Sequence, residues 1–246
     1  MKVRKILVSQ AKPETQKSPY FDLATRHNLQ IEFRPFVQID EISVKDFRQQ
    51  KVEILDYTAI VFSSRTAIDH FFRICEELKI VMPEKTKYFC NSETAAFYLH
   101  KYIVYRKRKV FYSNGKQTVL IDAIKKNKGE KFLVALSDNH KQEITDLMTK
   151  AKIKYAKASF YRTVSGDLSD MNISKYDIIV FFSPLSITSL FHNFPDFKQN
   201  KIAIAAFGSA TAKAVIDAGL RLDIEAPLPN APSMTAALEN FINDNL

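Results

Sequence analysis

The sequence is poor in glycine, with five in 246 residues, and it has no tryptophan. It contains neither GxGxxG nor GxxxxGK[ST], so the glycine-rich loops that bring backbone N–H groups against a nucleotide phosphate are excluded. Cysteine is scarcer still. Cys75 and Cys90 lack metal-ligand spacing and sit in apolar context, which reads as two reduced core thiols of a cytoplasmic protein. The five histidines are scattered: His70 and His100 fall in helical patterns, and His27, His140 and His192 lie near turns. No His/Cys/Asp/Glu cluster has the spacing of a metal site. No GxSxG elbow presents a serine nucleophile. Metal hydrolysis, acyl transfer and dinucleotide redox chemistry therefore find little support. Long apolar runs are missing too. The longest are four to seven residues, far short of a membrane span, and Met1-Lys-Val-Arg-Lys-Ile-Leu-Val is expected to enter a strand rather than serve as a signal peptide.

With 46% hydrophobic and 26% charged residues, the chain can form one large or two small globular domains. A formal net charge of +9 favours anionic partners. The densest basic cluster, Arg106-Lys-Arg-Lys109, has Tyr102, Tyr105 and Tyr112 nearby. Such interleaving would suit single-stranded nucleic acid, but a solvated basic loop is the favoured reading.

The chain also repeats itself. Ser9 corresponds to Ser137 at an offset of 128, Ser63 to Ser183 at 120, and Thr94 to Thr211 at 117. Ile31–Phe36 corresponds to Tyr155–Phe160. Ala59-Ile-Val-Phe62 and Ile178-Ile-Val-Phe-Phe182 are continuous apolar runs, as expected of parallel strands buried on both faces. After Ser63 the apolar positions Ala67, Ile68, Phe71, Phe72, Cys75 and Leu78 follow a helical period. Pro184 suits a first helical position, so Ser183 reads as an N-cap. Ser209 reads likewise, with a helix over Ala210–Ala218 stopped by Gly219. Strands alternating with helices mean an α/β fold, in which ligands bind at the carboxyl ends of the strands. Ser9, Ser63, Ser64, Ser92, Ser183 and Ser209 fall at those ends. Helix N-termini there can bind carboxylate or phosphate through backbone N–H groups, although each hydroxyl also fits simple capping.

Several segments in order carry a resemblance: Val61-Phe-Ser-Ser-Arg-Thr-Ala67, Ser92-Glu-Thr-Ala95, Phe160-Tyr-Arg-Thr-Val164, Phe181-Phe-Ser-Pro184 and Phe207-Gly-Ser-Ala-Thr-Ala212. Across essentially its whole length the chain resembles the uroporphyrinogen-III synthase family. The resemblance implies two similar parallel-sheet α/β domains joined by a two-stranded β linker, with a cleft between them. It implies a discontinuous first domain, residues 1–36 plus 166–246, around an inserted domain at 42–158. Ile31–Ile39 and Tyr155–Val164 then supply two exposed connecting strands, with the linkers at 37–41 and 159–165. A simple split near Lys125-Lys-Asn-Lys-Gly-Glu-Lys131 is the rival.

The implied reaction cyclises hydroxymethylbilane, a linear tetrapyrrole with eight carboxylates, to uroporphyrinogen III with loss of water and inversion of the terminal ring. The linear substrate also closes unaided to the uninverted isomer, so the implied task is positioning. Carried over by motif, Tyr161 is the expected proton donor to the departing hydroxyl. Ser63, Ser64, Arg65, Ser92, Thr94, Ser183, Ser209 and Thr211 are the expected substrate-binding residues. No cofactor, metal, membrane or nucleic-acid partner is implied, and a cytoplasmic monomer is expected. Departures from the family pattern stand at Ser9-Gln10, Asn91 and Ser137-Asp138. An aspartate is unhelpful to a polycarboxylate unless it points away, and the departures keep open a non-catalytic anion-binding or sensor protein on the same fold.

Overall fold

The computed structural model describes residues 3–15, 17–114, 117–139 and 143–245. His140 lies outside the described residues. The chain runs β1 (Lys5–Val8), α1 (Pro19–His27), β2 (Gln30–Phe33), β3 (Val37–Glu41) and α2 (Val44–Gln49). Next come β4 (Ala59–Phe62), α3 (Arg65–Glu77), β5 (Lys87–Cys90), α4 (Glu93–Tyr98), β6 (Val110–Tyr112) and α5 (Gln117–Lys126). β7 (Phe132–Ser137), α6 (Glu143–Lys150) and β8 (Tyr155–Ser165) follow. The chain closes with β9 (Ile178–Phe181), α7 (Pro184–Asn193), β10 (Ala203–Phe207), α8 (Ser209–Asp217), β11 (Ile224–Ala226) and α9 (Met234–Asp244).

These elements divide into two units: Met1–Gln38 with Val164–Leu246, and Ile39–Thr163. Lys125–Lys131 is the connection from α5 to β7 inside the second unit, so the chain does not divide there. The first unit's sheet has the order β2-β1-β9-β10-β11 and its strand pairs are parallel. The second sheet is β8-β7-β4-β5-β6, also parallel, with β3 outside β8. Both match the doubly wound order 2-1-3-4-5. In the second unit, β7 and β8 take the places that β1 and β2 hold in the first, yet they come last in the chain. The second unit is thus a circular permutation of the first, and each sequence repeat contributes strands to both.

The strands are apolar at successive positions because helices cover both faces of each sheet. In the first unit Ile6, Val8, Ile178 and Val180 pack on one face, and Leu7, Ile179, Phe181 and Ile204 on the other. In the second, Ile60, Phe62, Leu133 and Ala135 oppose Ala59, Val61, Phe132 and Val134. All sixteen side chains are essentially inaccessible to solvent.

Three expectations are corrected. Ile31–Ile39 is not one strand. Pro35 has no N–H to give a ladder, and the chain turns to bury Phe36 edge-on against Phe181, 5.8 Å between ring centres. Tyr155–Val164 is not an exposed connector along its whole length, since β8 lies in the second sheet parallel to β7 from Tyr155 to Tyr161 and buries Ala158, Phe160 and Tyr161, with β3 as its neighbour on the other side. Nor does Ser209 cap α8. The N-cap is Gly208, at φ 87° and ψ 144°, and Ser209 is the first helical residue, exposed and without a capping hydrogen bond. The turn from β10 into α8 demands a backbone region closed to residues with a Cβ, so glycine takes the cap.

Candidate functional site at the carboxyl ends of the strands

In a doubly wound sheet, the connections leave in opposite directions from two neighbouring central strands and open a crevice at their carboxyl ends. In the second unit those strands are β7 and β4. A cavity of about 250 Å³ sits there, lined by Ser63, Ser64, Asn91, Ser137, Asn139 and Tyr161 among others. Ser64 caps the thirteen-residue α3, its hydroxyl accepting the Ala67 N–H at 3.1 Å. The remaining free N–H groups of that first turn and the helix dipole favour an anion at this end.

Tyr161 reaches the cavity because of a β-bulge. Leu136 faces Ser159 in the β7–β8 ladder, but Ser137 faces Tyr161, so Phe160 is an extra residue. Without the bulge, Phe160 and Tyr161 would point to opposite faces. With it, both pack in the cluster beneath α3. Phe160 contacts Phe71 and Phe47, and the Tyr161 ring stacks on His70 at 5.2 Å and 24°. Tyr161 is only 8% exposed, and its hydroxyl takes no hydrogen-bond partner among the described residues. Asp138 does not line the cavity. Its carboxylate accepts the N–H groups of Asn139 and Thr163, and its own N–H donates to the Tyr161 carbonyl at 3.1 Å. The aspartate that looked unhelpful in the sequence therefore ties down the backbone around Tyr161.

Arg65, the first residue of α3, has no carboxylate partner among the described residues, and its guanidinium lies over the Tyr98 ring at 5.5 Å. The Tyr98 hydroxyl donates to Asp69 at 2.8 Å, and Tyr102 and Lys101 donate to the same carboxylate oxygen. Burial alone would raise the Asp69 pKa; the Tyr102 and Tyr98 hydroxyls and the Lys101 ammonium outweigh it and hold the carboxyl below its ordinary value. Ser92 caps α4 through the Ala95 N–H, and its hydroxyl lies 3.0 Å from that of Thr94.

In the first unit the central strands are β1 and β9. A hollow of about 510 Å³ at their carboxyl ends is lined by Ser9, Gln10, Ser183 and Ser186 among others. Ser183 caps α7 through the Ser186 N–H, with Pro184 as the first helical residue. Of the nine expected site residues, Ser63, Ser64 and Tyr161 line one cavity and Ser183 the other; Arg65, Ser92, Thr94, Ser209 and Thr211 line neither. Thr211 is buried at 3% exposure in the first turn of α8. Asn139 has an unremarkable sequence context, His70 reads only as a position in a helical pattern, and Asp138 reads only as a departure from the family pattern. Asn91 was noticed only as a departure.

Larger hollows, of about 640 and 1120 Å³, open at the amino ends of the strands. Helix C-termini point there, and the smaller of the two is lined by Lys125, Lys128, Lys131, Lys152 and Lys154; what distinguishes the carboxyl-end cavities is the free N–H groups of helix N-termini. The two ends of the basic cluster are engaged: Arg106 pairs with Glu84 and Lys109 binds the Glu84 carbonyl, while the nearby Tyr105 stacks on His100. The chain's whole excess of positive charge lies in the second unit, with 24 Lys and Arg against 15 Asp and Glu, while the first has 12 of each.

Comparison with known proteins agrees with this architecture. The solved uroporphyrinogen-III synthetase of Helicobacter pylori 26695 superposes with a TM-score of 0.61 at 15% identity, covering 98% of this chain and 99% of that one. A mutant uroporphyrinogen III synthase from the extremely thermophilic bacterium Thermus thermophilus superposes at 0.56 with 12% identity, covering 98% of each chain. At such identities the likeness speaks for the fold. No curated protein sequence matches the chain. The sequence profile of uroporphyrinogen-III synthase HemD matches residues 20–236, most of the length, and so the chain belongs to the uroporphyrinogen-III synthase family, lyases of porphyrin biosynthesis.

Proposed function

We propose that the family's reaction, closure of hydroxymethylbilane to uroporphyrinogen III, is carried out here with Tyr161 as proton donor and the capped helix N-termini as carboxylate holders. The activity comes to the chain with its family; the residue roles are our reading. The observation that carries them is the bulge that brings Tyr161, its hydroxyl unpartnered, to the same cavity as the N-terminus of α3.

The chemistry asks little of a protein except placement. Loss of the substrate hydroxyl is eased when a phenol donates a hydrogen bond or proton to the leaving oxygen, worth about 10²-fold. The resulting azafulvene cation must then be met by the substituted carbon of the terminal ring, which requires holding the acetate and propionate arms in one geometry. Ser63 and Ser64 at α3 and Ser183 at α7, which line the carboxyl-end cavities, would hold arms through hydroxyls and backbone N–H groups; Ser92 and Thr94 at α4 and Ser209 and Thr211 at α8, which line neither cavity, would add the backbone N–H groups of their helix starts. Arg65 adds one charge-assisted partner. The net positive second unit attracts an octa-anionic substrate in general. We further place the protein in the cytoplasm as a monomer without a cofactor; no helix among the described residues is long and apolar enough to cross a membrane.

The test is to generate hydroxymethylbilane in situ, add the protein, oxidise and resolve the isomers. Isomer III is expected. Isomer I alone would end the synthase reading, and an unchanged isomer III rate in Tyr161→Phe would end the proton-donor role.

A further inference from the structure

We infer that His70 is the positioning residue for Tyr161, its imidazole face setting the phenol ring on the cavity; the inference rests on the reading of Tyr161 as proton donor. The two rings come from different elements, α3 and β8, and lie nearly parallel at 5.2 Å and 24°. Tyr161 sits on a bulge and makes no hydrogen bond through its hydroxyl with any described residue. What restrains its ring is therefore packing, and His70 is the aromatic partner that the structure records for it.

The imidazole itself is unusual. Its Nδ1 is buried with no hydrogen-bond partner among the described residues, so the ring meets Tyr161 by its face and not through a hydrogen bond. The charged groups facing it are Arg73 and Asp69 on its own helix and Glu41 at the end of β3, with the Tyr161 phenol on β8 as the other titratable neighbour. Burial first, then Arg73, pushes the His70 pKa down, and Glu41 and Asp69 only partly oppose them. Arg73 is itself fixed, ion-paired with Glu41 at 3.6 Å and donating to the Ile42 carbonyl at 2.7 Å. The neutral ring is the form that this setting favours. An imidazolium against the phenol face would instead attract the ring's π electrons, draw in water and counter-charge, and shift the ring that must reach the leaving oxygen.

Steady-state isomer III formation across pH tests this in the full chain, in wild type and in His70→Ala, His70→Phe, Tyr161→Phe and the Tyr161→Phe/His70→Ala double variant. His70→Ala is expected to lower kcat about tenfold with KM within about twofold, and His70→Phe to recover most of the loss. The wild-type acid limb of kcat should lie below the ordinary histidine range and disappear in His70→Phe. In the Tyr161→Phe background, His70→Ala should add little. Wild-type kcat in His70→Ala, equal losses in both backgrounds, or an acid limb retained in His70→Phe would each overturn the inference. A Tyr161→Phe variant with wild-type kcat would instead overturn the proton-donor reading beneath it.

Discussion

The carboxylate of Asp138 accepts the backbone N–H of Thr163 at 3.0 Å, two residues beyond Tyr161. Together with the Asp138 N–H bound to the Tyr161 carbonyl, it fastens β8 just beyond the bulge. Asp138→Ala should cost about 1 kcal/mol of stability. It should also cost about fivefold in kcat, the same energy expressed as a rate. Asp138→Asn keeps an acceptor oxygen and should retain most of both. Denaturant midpoints and isomer III rates measured on the same samples check this.

This role could not be read from the chain. An aspartate after a strand suggests a cap or a clash with an anionic ligand, and only the register shift between Leu136 and Ser137 reveals which backbone it meets. Registers depend on pairing between segments far apart in sequence, so Phe160 and Tyr161 turning the same way was equally hidden. What was legible obeyed local rules. Ser64, Ser92 and Ser183 precede helical periods and do cap them. Ser209 looked the same and does not, because Gly208 before it satisfies a demand on the backbone rather than on a hydroxyl. The repeat was visible because strand and cap chemistry recur, whereas the permutation that shares each repeat between two units is a property of topology.

Arg65 over Tyr98 leads to a second prediction. Tyr98→Ala removes the surface that steadies the guanidinium, and Arg65→Lys removes its plane, so each should raise KM for hydroxymethylbilane about threefold to fivefold with kcat nearly intact. The same cluster has a pH signature. The folded-state pKa of Asp69 is depressed, so its contribution to stability is present above the ordinary aspartate range and lost as pH falls through the lowered folded value. A Tyr98→Phe/Tyr102→Phe variant loses both hydroxyl donors and should unfold at higher pH than wild type in an acid titration followed by circular dichroism.

Two glycines should resist alanine for different reasons. At Gly208 the space for a methyl is open but φ is 87°, so the cost is conformational, about 1–3 kcal/mol. At Gly166 a Cβ would come within 2.7 Å of the Pro35 carbonyl oxygen, while the Gly166 N–H binds the Phe36 carbonyl, so the cost is steric and of similar size. Urea midpoints measure both; a Gly166→Ala variant as stable as wild type would show that Pro35 can move.

Burial pushes the thiols of Cys75 and Cys90 up to about 12. Thiolate is the reactive form, so native protein should leave Ellman's reagent unreacted for hours at pH 8, and both thiols should titrate at once in denaturant.

The permuted order of strands sets a timetable for synthesis. Ile39–Thr163 is one continuous stretch and has all its strands as soon as β8 leaves the ribosome. The first unit must wait, because Ile6 pairs with Ile178 and so the free edge of β1 finds β9 only after the whole second unit has been made. At about 5–20 residues per second this leaves an apolar strand edge uncovered for roughly ten to thirty seconds. The nascent chain thus carries an unpaired apolar strand edge through most of its synthesis, and its first forty residues or so are where a chaperone has something to protect.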